Sequence, residues 1–216
     1  MRYSFQTGHH SNSFPEGDAF LRGQQELETA EIVICDGKTF RLDPSRAVIL
    51  VELQHECLGE HVDTQNPASH NVLGFARYCN GGDAPSKLVE LVRHDNSATS
   101  VIEAARELFV AAGLEVAVCD DQVGRIVNRL VVPKLNAALR FLDEGLAKQA
   151  DMDLTCKLGL GYPDGPIERV VRGGLADHYR LSRSLFEAFG TPAFVPARQA
   201  AVAFRREASG SRRSCD

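Results

Sequence analysis

The feature that most constrains this chain is a change in the period of its apolar residues near position 120. Upstream, apolar residues come in short, near-continuous runs over 30–35 and 47–53. Such runs mark strands covered on both faces, as in parallel sheets. Stretches 71–78, 88–92 and 114–119 continue the series, the first two separated by the turn-rich Asn80-Gly81-Gly82-Asp83-Ala84-Pro85. One helix is predicted in this half, opening at Ser100 with Glu103 spaced to complete a capping box and Gly113 as its stop. Its inward face carries Val101, Ile102, Ala105, Leu108, Phe109 and Ala112.

Downstream the period becomes helical. Val127, Leu130, Val131, Leu135, Ala138, Leu139 and Leu142 form a stripe that Val132 widens, which predicts a helix buried between others or against a second subunit. Pro133 predicts a kink or a fresh helix start. Further helices are expected over 151–158, over 166–189 with a break at Gly173-Gly174, and over 196–206. The fold class is therefore α/β followed by all-α. Residues 1–29 read as an irregular N-terminal segment, 30–119 as a partial α/β domain, 120–206 as a helical domain and 207–216 as a flexible tail.

Composition removes several functions. The 216 residues are 44% apolar and 25% charged, with a formal net charge of -5. An acidic chain lacks the basic surface of a general nucleic-acid or anionic-membrane binder. No apolar run approaches the roughly 20 residues that span a bilayer. Residues 1–10 have no apolar core like that of a signal peptide, so a cytoplasmic protein is expected. The six cysteines are scattered, with no C-x-x-C pair, as suits a reducing compartment.

Two motifs carry more. Gly124-Arg125-Ile126-Val127-Asn128-Arg129-Leu130, followed by Pro133, Leu135-Asn136 and Glu144-Gly145, resembles the linker helix of 3-hydroxyacyl-CoA dehydrogenases. Lys157-Leu158-Gly159-Leu160-Gly161-Tyr162-Pro163-Asp164-Gly165-Pro166-Ile167-Glu168 resembles that family's helical-domain signature, and its glycines are expected to be turn residues. The resemblance covers roughly 72–205 well and 27–60 faintly. It implies an NAD-dependent oxidoreductase of 3-hydroxyacyl-CoA or a related hydroxy acid, with a role in fatty acid metabolism. Its nucleotide-binding domain would precede a helical domain that closes the substrate site and forms a homodimer.

The same comparison exposes what is missing. A dinucleotide site needs a strand, a Gly-rich turn and a helix N-terminus that presents backbone N–H groups to the pyrophosphate. Residues 1–119 contain no such turn. They are also too few, since a doubly wound domain of six strands needs roughly 150 residues at ~30 per βαβ unit. The expectation is a truncated Rossmann-like sheet with a C-terminal helical domain, and no bound cofactor. An isolated half-sheet exposes the edge of its first strand, which residues 1–29 or a partner chain must cover.

By resemblance, Glu90 in Lys87-Leu88-Val89-Glu90 matches a carboxylate that pairs with a catalytic histidine. Anchoring on Gly74 places Ala76 at the histidine position, and counting back from Glu90 places Tyr78 there. Tyr78 and Glu90 are thus the candidate catalytic groups, although Glu90 could equally be a solvent-facing strand residue and Tyr78 a packed aromatic. Losing a positioned acid/base costs on the order of 10²- to 10⁴-fold in rate. The stretch 52–57, at the family's substrate-hydroxyl position, holds no hydroxyl. Asn128 matches a substrate-contacting asparagine and could alternatively cap its helix.

Three functions follow: a residual dehydrogenase, a non-redox protein that binds an acyl-CoA or hydroxy acid or serves as a scaffold subunit, and a metal-dependent hydrolase. The last rests on His55, Glu56 and His61 in His55-Glu56-Cys57-Leu58-Gly59-Glu60-His61. That segment could supply N, S and O ligands to zinc, but lacks the i, i+4 histidine spacing of a helical zinc site and reads better as a polar loop.

Overall fold

The computed structural model describes residues 1–6 and 11–213. Contacts divide the chain into two units, Met1–Cys79 with Pro85–Ile126, and Asn80–Ala84 with Val127–Asp216.

The first unit is a six-stranded sheet whose strands lie in sequence order: β1 (Tyr3–Gln6), β2 (Ile32–Asp36), β3 (Val48–Glu52), β4 (Val72–Arg77), β5 (Leu88–Arg93) and β6 (Glu115–Asp120). Strands β1 to β4 run parallel, β5 is antiparallel to β4, and β6 is parallel to β5. Helix α1 (Thr99–Ala111) makes the crossover between β5 and β6. The near-continuous apolar runs are explained by burial on both faces. Ile34, Leu50, Leu73, Phe75, Val89 and Leu91 pack towards Val101, Ala105, Leu108 and Phe109 of α1. On the opposite face Ile49, Val51, Val72 and Val92 pack under Leu58 and Val62. Ser100 lies inside α1, whose N-cap is Ala98 without a side-chain bond, so the expected capping box does not form.

Residues 1–29 depart most from expectation. They read as irregular, yet they contain β1, which pairs with β2 and covers its edge. The outward carbonyl of Tyr3 accepts the Gln25 N–H at 2.7 Å, which blunts the new edge in turn. Phe14 and Phe20 stack at 4.2 Å between ring centres and join Tyr3, Phe5, Phe75 and Phe109 in one aromatic cluster. These rings are scattered among polar residues without a period, so pattern reading passes over them. His9 and His10 lie outside the described residues.

The second unit holds α2 (Val127–Asp143), α3 (Gln149–Leu160), α4 (Pro166–Gly173), α5 (Leu175–Phe189) and α6 (Arg198–Arg213) around Leu135, Ala138, Leu139, Ile167, Val170, Ala197 and Ala200. Helix α2 continues through Pro133, which starts no new helix. The predicted break falls at Gly174, whose φ of +95° suits glycine. Helix α6 runs to Arg213, into residues expected to fray.

The signature segment is a helix–turn–helix corner. Gly161 ends α3 in the left-handed conformation, and the buried Asp153 carboxylate accepts the N–H groups of Ile167 (2.9 Å) and Glu168 (3.1 Å) at the start of α4. A side chain at Gly165 would collide with Asp153, which requires glycine there. Gly159 belongs to α3 itself, so it is not a turn residue as expected.

Candidate functional site

Strand alternation sets the site. Val89 and Leu91 point to α1, and Glu90 between them shares the opposite face with Val92. Glu90 is 2% exposed, so it is not a solvent-facing strand residue. Its direct cross-strand neighbour is Ala76. That pairing places the Ala76 methyl group opposite the carboxylate. Tyr78 lies beyond the end of β4, half-buried, its carbonyl accepting the Ser86 N–H at 2.8 Å.

The group that meets Glu90 is one the sequence reading did not single out. Glu90 Oε2 lies 3.6 Å from Arg125 Nε, both side chains being 3% exposed, and Oε1 accepts the Ile126 N–H at 2.8 Å. Arg125 extends to the loop after β3, where Nη2 donates to the Gln54 carbonyl at 2.6 Å and Nη1 to that of Glu56 at 3.5 Å. Burial pulls the guanidinium below its ordinary pKa, and the Glu90 carboxylate opposes that shift. Arg125 also has φ +50°, beside Gly124 at +73°. A non-glycine residue in that region costs of order 1–3 kcal/mol, which the surrounding bonds must offset. Nearby, Asp121 accepts the N–H groups of Leu58 (2.7 Å) and Gly59 (2.8 Å), fastening the same loop. No local sequence signal shows which groups Arg125 meets, because its partners are 35 to 71 residues away.

Asn128 is half-buried and lies within the first turn of α2, after the first helical residue rather than at the cap. The capping alternative therefore fails. His55, Glu56 and His61 are not assembled for a metal. Among the described residues no group of three or more His, Cys, Asp or Glu is placed to hold one. Instead Glu56 pairs with His61 Nε2 at 3.2 Å and accepts the N–H groups of Gln54 (3.1 Å) and His55 (2.9 Å). Burial would raise the Glu56 carboxyl, but those hydrogen bonds outweigh it and hold it below its usual pKa. The segment is a self-bonded polar loop.

A second buried polar cluster lies in the helical unit. Asn136 Oδ1 is 2.9 Å from His178 Nε2 and 3.4 Å from Ser182 Oγ, while Asn136 Nδ2 donates to the Ala193 carbonyl at 3.2 Å. Burial pushes the His178 imidazole down to about 4, so it is neutral at physiological pH. Ser182 is fully buried, which leaves this cluster structural rather than reactive.

A mostly parallel sheet followed in sequence by a helical unit defines an α/β-plus-all-α architecture, and known proteins share it. Residues 124–212 match the family described as 3-hydroxyacyl-CoA dehydrogenase, C-terminal domain. A probable 3-hydroxyacyl-CoA dehydrogenase of Caenorhabditis elegans is 36% identical over 110 residues, 51% of this chain and 34% of that protein. The human mitochondrial hydroxyacyl-coenzyme A dehydrogenase is 39% identical over 89 residues, 41% of this chain and 28% of that protein. The solved 3-hydroxybutyryl-CoA dehydrogenase of Escherichia coli superposes with a TM-score of 0.71 at 25% identity, covering 81% of this chain and 39% of that one. The (S)-3-hydroxybutyryl-CoA dehydrogenase of Ralstonia eutropha gives a TM-score of 0.70 at 22% identity, with 81% and 65% covered. The matched region thus spans about a third of the length of these curated relatives. The likeness to 3-hydroxyacyl-CoA dehydrogenases is carried by the C-terminal half, where residues 124–212 match that family's C-terminal domain.

Proposed function

We propose that this chain is a 3-hydroxyacyl-CoA dehydrogenase-like protein impaired in NAD-dependent hydride transfer, the family role being oxidation of a 3-hydroxyacyl-CoA or related hydroxy acid. The observation that carries this reading is the environment of Glu90. Its cross-strand neighbour is Ala76, and its carboxylate is engaged by Arg125 and the Ile126 N–H. A carboxylate held against a buried guanidinium is not free to orient an imidazole without breaking that pair. Tyr78 is no replacement, lying past the strand end.

The residues present also do not fit a dinucleotide. Among the described residues no α-helix follows β1, β2 or β3, the first α-helix being α1 after β5. No helix N-terminus therefore stands at the C-terminal ends of those strands to receive a pyrophosphate. Incubating the protein with NADH and a 3-ketoacyl-CoA tests the reading, and cofactor consumption at the rate of an ordinary dehydrogenase would sink it.

What remains is a non-redox role, as an acyl-thioester-binding or scaffold subunit in the cytoplasm. Retention of Asn128 supports the first, and a thermal-shift screen with CoA esters tests it. The expected result is a raised melting temperature that Asn128→Ala abolishes. The helical unit is read as the homodimer interface because Leu154 and Leu158, one turn apart on α3, are 52% and 80% exposed. Leu158→Lys is expected to halve the mass seen by light scattering, and an unchanged mass would remove this interface.

A further inference from the structure

Ligands of open α/β sheets lie across the C-terminal ends of the parallel strands, where the chain turns out of the sheet. In this protein that crest carries a segment of the chain itself. The Ser13 N–H donates to Glu52 Oε1 at 2.7 Å, and Glu52 is the last residue of β3. Ser13 Oγ accepts the N–H of Arg77, the last residue of β4, at 3.1 Å. The Arg77 guanidinium then closes over the segment, donating to the Ser13 carbonyl at 2.7 Å and to Asp18 Oδ2 at 3.2 Å, and lying 5.1 Å from the centre of the Phe14 ring. Its remaining donors reach the carbonyls of Ser86 (2.8 Å) and Pro85 (3.3 Å). Phe14 is 1% exposed and Phe20 5% exposed. Tyr3 fixes the far end by donating its hydroxyl to the Phe20 carbonyl.

We infer that residues 11–18 are a permanent, built-in occupant of this crest, which closes the sheet unit to a dinucleotide with the protein's own chain, while residues 20–23 anchor the segment at the opposite end of β1. The inference rests on the non-redox reading and adds its physical cause. Three features support permanence over a displaceable lid. Polar contacts are made on two strands and by both main chain and side chain. The aromatic rings are shared with the sheet core at Phe75 and Phe109, so lifting the segment would open that core. Strands β2 and β3 end in the carboxylates of Asp36 and Glu52, whose charge opposes a pyrophosphate in the same place.

The test uses the full chain and two readouts. In hydrogen exchange followed by mass spectrometry, peptides covering 11–20 are expected to be protected to the same degree as those covering β3. In parallel, NADH fluorescence titration is expected to show no saturable binding, in the wild type or in Phe14→Ala. Ser13→Ala, a milder change should Phe14→Ala fail to fold, is expected to speed exchange several-fold within 11–20 alone and to gain no cofactor. Exchange of 11–20 at the rate of a free peptide, with β3 still protected, would overturn the closure while leaving the non-redox reading intact. NADH binding gained by either variant would show a displaceable lid and overturn permanence. Saturable NADH binding by the wild type would overturn both.

Discussion

The two units of this molecule each hold a buried polar cluster, and the two clusters are built in opposite ways. In the sheet unit the cluster is a charge pair, Arg125 facing Glu90 while itself leaning on the carbonyls of a distant loop. In the helical unit the corresponding cluster of Asn136, His178 and Ser182 is neutral and is made by residues on neighbouring helices. A charged pair in low dielectric is stable only while both members are present, whereas a neutral cluster that loses a member leaves unpaired dipoles and no bare charge. The sheet unit is therefore the part that tolerates least change at its buried centre. That centre lies where the family resemblance implies chemistry.

The largest effect should come from breaking the charge pair. Arg125→Ala leaves Glu90 buried and alone, and is expected to cost ~3–5 kcal/mol in urea unfolding. Glu90→Gln combined with Arg125→Met should recover most of that loss. If the single substitution costs under about 1 kcal/mol, the pair does not hold this unit together and the contrast between the units fails.

A somewhat smaller effect is expected from pH. The folded His178 titrates near 4, below its ordinary value of 6.5, so between those values the unfolded chain binds the proton first. Stability is complete above pH 6.5 and falls as pH drops to about 4, by an upper bound of ~3 kcal/mol. His178→Gln should flatten that part of the profile, and an unchanged slope would move the acid sensitivity elsewhere. Replacing Asn136 by Ala removes acceptor and donor together and is expected to cost about 1–3 kcal/mol, measured by the shift in denaturant midpoint. The smallest change should follow Asn128→Ala, under ~0.5 kcal/mol at a half-buried first-turn position. A large loss there would make Asn128 a structural residue and remove its support for a ligand.

Much of the architecture was legible in the chain. The apolar runs identified β2 to β6 because burial on both faces leaves a local mark. The break at Gly174 and the corner around Gly161 and Gly165 were marked by residues whose backbone needs are peculiar to them. The N-terminal aromatic cluster was not legible, since ring stacking needs no period and its contacting rings lie up to 95 residues apart, as Phe14 and Phe109 do. The site was half legible. Glu90 was marked by its motif, but which residue of the upstream strand lies opposite it was shown only by the pairing with Ala76. A one-residue choice of register decides which side chains share a face, and sequence spacing alone does not fix it.

The sequence by itself determined the succession of strands and helices, the family likeness of residues 124–212 and the glycines of the helical corner. All of these are encoded within a few residues of chain, as period, motif or identity. Only the tertiary structure decided what Glu90 meets and what covers the strand ends. Both depend on contacts such as those of Arg125 with Gln54, 71 residues apart, and of Ser13 with Arg77, 64 apart. Such contacts arise when hydrophobic burial draws distant segments together and leaves their polar groups to find partners within reach.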